Sequence, residues 1–154
     1  MRLYLVRHGE ATSEQMNPER PLTEKGRREA LKVARFIQPL RLRVSAVWHS
    51  GKLRARQTAE ILATAVASEK GVLERPGLAP MDPIEGVREE IVSAEEDLMV
   101  VGHMPFLGKL ASALLVGNEG LEVVAFREVS FLCLEGGQEQ GFTIAWMVTP
   151  QVLG

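Results

Sequence analysis

Cysteine, aspartate and long apolar runs are nearly absent from this 154-residue chain. The single cysteine, Cys133, excludes an internal disulfide framework and a cysteine-rich zinc site. It lies within Val129-Ser130-Phe131-Leu132-Cys133-Leu134, an apolar run that reads as core rather than as the surroundings of a nucleophilic thiol. No apolar stretch approaches the roughly 20 residues of a membrane span. The start also lacks the apolar segment and cleavage site of a signal peptide, so a cytoplasmic location is expected. A formal net charge of -2 offers no broad positive field for nucleic acid or for a membrane. No glycine-rich nucleotide loop follows the first apolar run, and no Gly-x-Ser-x-Gly elbow occurs. Repeats, low-complexity tracts and linkers are missing too, so residues 1–154 read as one domain, long enough to bury a core. No large apolar surface stripe stands out, and a monomer is expected.

Three short apolar runs read as strands buried on both faces of an α/β sheet: Leu3–Val6, Ser45–Trp48 and Leu98–Val101. Helical patterns follow them. Thr23 is suited to cap a helix reaching about Gln38, with Leu31, Ala34, Phe36 and Ile37 on its apolar side. Further helices are expected over about Lys52–Ala67 and Pro105–Leu115, with a shorter one near Glu85–Val92. Glu122–Phe126, Val129–Leu134 and Phe142–Val148 read as strands, the last two joined by a hairpin loop over Gly136–Gly141. The Pro76–Pro83 stretch reads as a surface loop.

Ligands of open α/β sheets bind beyond the carboxyl ends of the strands. Each of the three strand exits carries unusual chemistry: Arg7-His8-Gly9, then His49-Ser50-Gly51-Lys52-Leu53-Arg54, then Gly102-His103-Met104-Pro105. All three histidines of the chain stand at these exits, and two of the exits open helix N-termini. Neighbouring strands would gather arginines, imidazoles and positive helix ends on one rim, which suits an anion. Taken singly, each element has a plainer reading. His49 alone reads as a packing or hydrogen-bonding histidine, and Lys52, Arg54 and Arg56 as a solvated helix face. The spacing of the histidines matches no helical metal pair, and Arg7 beside His8 would repel a dication, so neither metal nor cofactor is expected.

These residues resemble the histidine phosphatase superfamily, also called the phosphoglycerate mutase-like family. The matching pieces are Arg7-His8-Gly9-Glu10, Pro21-Leu22-Thr23-Glu24-Lys25-Gly26, Ser50 through Ala59, and Gly102-His103. The resemblance implies a three-layer α/β/α sandwich, with a mostly parallel central sheet and a C-terminal antiparallel hairpin. It also implies that His8 is a nucleophile that becomes phosphorylated, and that Arg7, Arg54 and His103 form the phosphate pocket. Gly9 and Ser50, within the same motifs, and Met104, at the third strand exit, are expected to contact substrate. Two nearby arginines should lower the pKa of His8 and keep it neutral near pH 7.

Larger members cover the pocket with inserted segments, for which this chain has little length to spare. The glutamate proton donor of mutase members has no obvious counterpart; Glu10, Asp82 and Glu85 are the candidates, Asp82 being better suited to a turn. The pattern looks most like the small bacterial phosphohistidine phosphatases of the SixA type. That resemblance implies, as substrate, a phosphohistidine on a partner protein of the phosphotransfer or phosphocarrier kind. A small phosphate ester is the alternative substrate, and a non-catalytic phosphoprotein-binding module is the alternative class.

Overall fold

The computed structural model describes residues 1–154. Eight strands form in chain order: β1 (Arg2–Arg7), β2 (Arg43–Val44), β3 (Val47–His49), β4 (Ala67–Ser68), β5 (Val72–Glu74), β6 (Leu98–Gly102), β7 (Phe131–Gly137) and β8 (Gly141–Val148). Four α-helices accompany them: α1 (Glu24–Ile37), α2 (Leu53–Ala63), α3 (Glu85–Ala94) and α4 (Phe106–Val116). Six strands make one sheet in the order β5-β3-β6-β1-β7-β8; β2 and β4 pair separately. The pairs β5-β3, β3-β6 and β6-β1 are parallel, and β1-β7 and β7-β8 are antiparallel.

Side chains alternate across a strand, so a sheet covered on both faces needs apolar residues at every position. β1 shows this directly. Leu3 and Leu5 enter one core with Val87 and Ile91 of α3 and Leu107 and Leu110 of α4. Tyr4 and Val6 enter the other with Val33 and Ile37 of α1 and Ala59 and Leu62 of α2. The result is the three-layer sandwich, with its mostly parallel sheet and C-terminal antiparallel hairpin. Cys133 is buried in the second core.

Several elements differ from the sequence expectation. The second strand starts two residues later, at Val47, because Ser45 instead donates its N–H to the Asp97 carbonyl. α2 ends at Ala63: Thr64 and Ala65 turn back onto Ile61 and Leu62, and Ala67 pairs with β2. β5, with only three residues, gave no sequence signal. Glu122–Phe126 lies outside every strand and helix, with Val124 and Phe126 buried. On α1, Leu31 and Phe36 are exposed, and Ala30, Val33, Ala34 and Ile37 face inward. Leu78, inside the proline-rich loop, is buried against the first core.

Gly26 fixes the entry to the rim. Thr23 caps α1 by accepting the Gly26 N–H at 3.0 Å, and its own N–H donates to the Glu10 carbonyl at 2.9 Å. A Cβ at Gly26 would overlap the Glu10 carbonyl oxygen and stand 3.1 Å from the Glu10 nitrogen. Gly26→Ala gains about 1 kcal/mol of helix propensity, but it must displace backbone rather than a flexible side chain. A net destabilisation of about 1–3 kcal/mol is expected from overpacking. Denaturant midpoints of the two proteins check this, and an unchanged or higher midpoint contradicts it.

Candidate active site

After β1 the chain turns into α1 on one face of the sheet; after β6, its parallel neighbour, it turns into α4 on the other. The two connections diverge and leave a crevice beyond the strand ends. His8 and His103 stand there, with ring centroids 5.0 Å apart. The backbone N–H of His8 donates to the Gly102 carbonyl at 3.0 Å, tying the two exits together.

His8 is held by its neighbour. Its Nδ1 lies 2.7 Å from the Gly9 carbonyl oxygen. A carbonyl only accepts, so Nδ1 carries the proton and Nε2 keeps a lone pair. The Gly9 N–H donates to Thr58 Oγ1 at 3.0 Å, and Thr58 Oγ1 donates to the Arg54 carbonyl at 2.8 Å. Thr58 therefore couples the His8–Gly9 turn to the helix that carries Arg54. Gln57 adds a second link by accepting the Leu22 N–H at 2.8 Å. A Cβ at Gly9 would crowd the Gly26 carbonyl at 3.1 Å, which explains the glycine after the histidine.

Arg7 ends β1 and donates from Nη1 to the Phe126 carbonyl at 2.9 Å. That bond ties down the 122–126 segment: the Phe126 carbonyl serves a side chain instead of a strand ladder. Val129, whose N–H donates to the Arg7 carbonyl, adopts φ +56°, an uncommon conformation for a β-branched residue. Ser50 Oγ lies 2.6 Å from His103 Nε2 and accepts the Lys52 N–H at 3.3 Å. When the serine hydroxyl donates to Nε2, the proton of His103 resides on Nδ1, the nitrogen without a protein partner.

Four buried side-chain polar atoms lack a protein partner, and three are in this crevice: Arg7 Nε, Arg54 Nε and His103 Nδ1. Buried donors without acceptors are costly. A tetrahedral oxyanion has enough lone pairs to satisfy all three. No three His, Cys, Asp or Glu side chains gather as a set of metal ligands.

Burial is the main cause that lowers the His8 pKa, to about 4; Arg54, Arg7 and Arg20 add to it, and the Gly9 bond opposes it. The arginines expected to keep His8 neutral thus act second to desolvation. His103 is pushed down to about 3, again first by burial and then by His8, Arg54, Lys52 and Arg20. Both imidazoles are neutral at pH 7. Because the folded pKa of His8 lies below its unfolded value, its stabilising contribution is complete above about pH 6.5. That contribution is lost as pH falls toward 4, at a cost on the order of 3 kcal/mol. Unfolding free energy should therefore decline steadily from pH 6.5 to 4, and a flat profile across that window contradicts the neutral buried ring.

The remaining candidates fall in different places. Met104 rests its methyl group over Gly108 and packs against the first core. Glu10 is half-buried beside Lys25 at 3.7 Å. Asp82 accepts the Ala79 N–H at 2.9 Å, a turn role, and Glu85 is exposed at the start of α3. None of these carboxylates has a bond to His8, Arg54 or His103. Arg20 belongs to no motif that marks it in the sequence. Its Nε donates to the Thr12 carbonyl at 3.0 Å, and its charge is felt by His8, Arg54 and His103. It reaches the rim because the 8–23 loop folds back through an Ala11–Leu22 bridge, which no periodicity reveals.

Comparison with known proteins bears on the family and the fold. An uncharacterized protein of Picosynechococcus is 37% identical over 127 residues, covering 78% of this chain and 76% of its own. The phosphohistidine phosphatase SixA of Escherichia coli is 25% identical over 123 residues, covering 77% and 76%. The structure of the protein histidine phosphatase SixA complexed with tungstate superposes with a TM-score of 0.87 at 23% identity, over 100% of both chains. The family model of the histidine phosphatase superfamily, branch 1, matches residues 3–83, and the chain belongs to that superfamily.

Proposed function

We propose that this single-domain protein is a phosphatase that removes phosphoryl groups from histidine on a partner protein, through a phosphohistidine formed on His8. The observation that carries the reading is the His8 Nδ1–H to Gly9 carbonyl bond, which leaves Nε2 as a neutral lone pair beside Arg7, Arg54 and His103. In the first step Nε2 attacks phosphorus. The new N–P bond forms as the substrate N–P bond breaks, and the substrate ring, protonated on its other nitrogen, takes the electron pair and leaves as neutral imidazole. The phosphorylated His8 ring carries positive charge, which the Gly9 carbonyl stabilises from the other nitrogen. In the second step water attacks, the His8 N–P bond breaks, and inorganic phosphate departs. Arg7, Arg54 and the His103 Nδ1–H hold the phosphoryl oxygens through both steps.

The leaving group supports phosphohistidine over an ester. An alkoxide needs an acid as it departs, and no carboxylate is bonded into this crevice. A departing imidazole needs less help, since the ring protonates near pH 6.5 in water. The connections 8–23, 75–84 and 117–130 hold no helix or strand of their own, so no inserted element is built as a cover, which suits a phosphoryl group arriving on a protein surface. No helix is long and apolar enough to cross a membrane. The reading places the protein in the cytoplasm, acting as a monomer without metal. The expected result is rapid dephosphorylation of a phosphohistidine carrier protein, unaffected by chelators, with slow turnover of sugar and nucleotide monophosphates. A clear preference for a small ester, or activity lost to chelation and restored by zinc, overturns it.

A further inference from the structure

Of the three imidazoles, only His49 has no part in the proposed reaction. It ends β3 and is 4% exposed. Its Nδ1 accepts the Gly51 N–H at 3.0 Å, so its proton resides on Nε2. Gly51 adopts φ +91°, and a Cβ there would press on the Glu74 carboxylate at 2.7 Å. The chain is therefore bent sharply between His49 and Lys52, and the only side-chain acceptor for the Gly51 N–H is His49. The same bend presents Ser50 Oγ to His103 Nε2 at 2.6 Å and lets it accept the Lys52 N–H. One connected path thus runs from His49 through the Gly51 backbone and Ser50 to His103.

We propose that His49 is a positioning residue: its Nδ1 lone pair holds the Ser50–Gly51 turn, and through Ser50 it sets the ring orientation and tautomer of His103. Without that bond the Gly51 N–H loses its acceptor and the turn can relax. Ser50 then moves off Nε2, and the His103 proton is free to shift from Nδ1. Burial favours the neutral ring that can accept this bond. Burial is the main influence lowering its pKa; Glu74 of β5 opposes it, Arg56 of α2 lowers it further, and Glu60 of α2 raises it. The consequence for catalysis rests on the phosphatase reading, whereas the consequence for the His103 ring does not.

The test compares His49→Leu, which keeps bulk and removes the acceptor, with His49→Asn, whose Oδ1 stands close to where Nδ1 stood. His49→Phe serves as a second apolar variant should the leucine protein fail to fold. Nitrogen NMR of His103 is expected to show a changed tautomer balance in the apolar variants and the wild-type pattern in His49→Asn. Turnover is expected to fall about 10–100-fold in the apolar variants, more in kcat than in KM, and to recover in His49→Asn. An apolar variant that folds with unchanged His103 resonances and unchanged kcat overturns the proposal. So does a folded His49→Asn protein that behaves like the apolar ones. If the wild type turns over no phosphoryl substrate, the phosphatase reading fails, and the His103 resonances still decide the role of His49.

Discussion

His8→Ala should lower turnover of a phosphohistidine protein by at least about 10⁴-fold, with the fold retained. The expectation follows from the protonation pattern. His8 Nε2 is a free lone pair in the crevice, whereas His103 Nε2 is occupied by Ser50 at 2.6 Å. The Ser50–His103 pair has the outward form of a serine nucleophile with its base. It differs in a decisive way: the pKa of His103 is pushed down to about 3, so the ring is a poor acceptor for a serine proton at neutral pH. Ser50→Ala should therefore retain much more activity than His8→Ala. Initial rates of the two variants, measured side by side, make the comparison. If the serine variant is the more damaged, the nucleophile has been assigned to the wrong side chain.

Arg54→Met should cost about 10²–10³-fold in kcat, the range seen when one donor to a transition-state oxyanion is removed. Its guanidinium is one of two whose Nε is buried without a protein partner. It also depresses the His8 pKa, so its loss should move the acid limb of the rate profile upward from about pH 4. Arg54→Lys restores the charge but not the planar fork, and should recover only part of the rate. The pH shift separates this role from simple packing. A variant with less than a tenfold loss and an unmoved acid limb would show that Arg54 does not face the reacting phosphoryl group.

Much of this arrangement is legible in the sequence. β1 and β6 each carry an unbroken apolar run, Leu3–Val6 and Leu98–Val101, with a histidine directly after the strand, so both strand and site could be read from the same few residues. Thr23 and the spacing after it mark the start of α1 correctly. The harder parts depend on contacts distant in the chain. β5 has three residues and exists because β3 pairs with it. Residues 122–126 alternate like a strand, but the Phe126 carbonyl is taken by Arg7, 119 positions away. The glycine of the Pro21–Gly26 motif makes sense only once its contact with Glu10 is seen. Arg20 joins the rim through a loop that folds back on itself. The order of causes was also hidden: charge predicts the direction of the His8 shift, but the depth of its burial makes desolvation the larger effect.

The central claim is that phosphate is carried on His8 through Nε2. Rapid quenching of the wild-type protein with a phosphohistidine substrate, followed by peptide mapping and phosphorus–nitrogen NMR, tests it directly. The account predicts an acid-labile, alkali-stable phosphoryl group on His8, bonded to Nε2, with Nδ1 still protonated. Phosphate on Nδ1, on Ser50, or on no residue while turnover proceeds would contradict it.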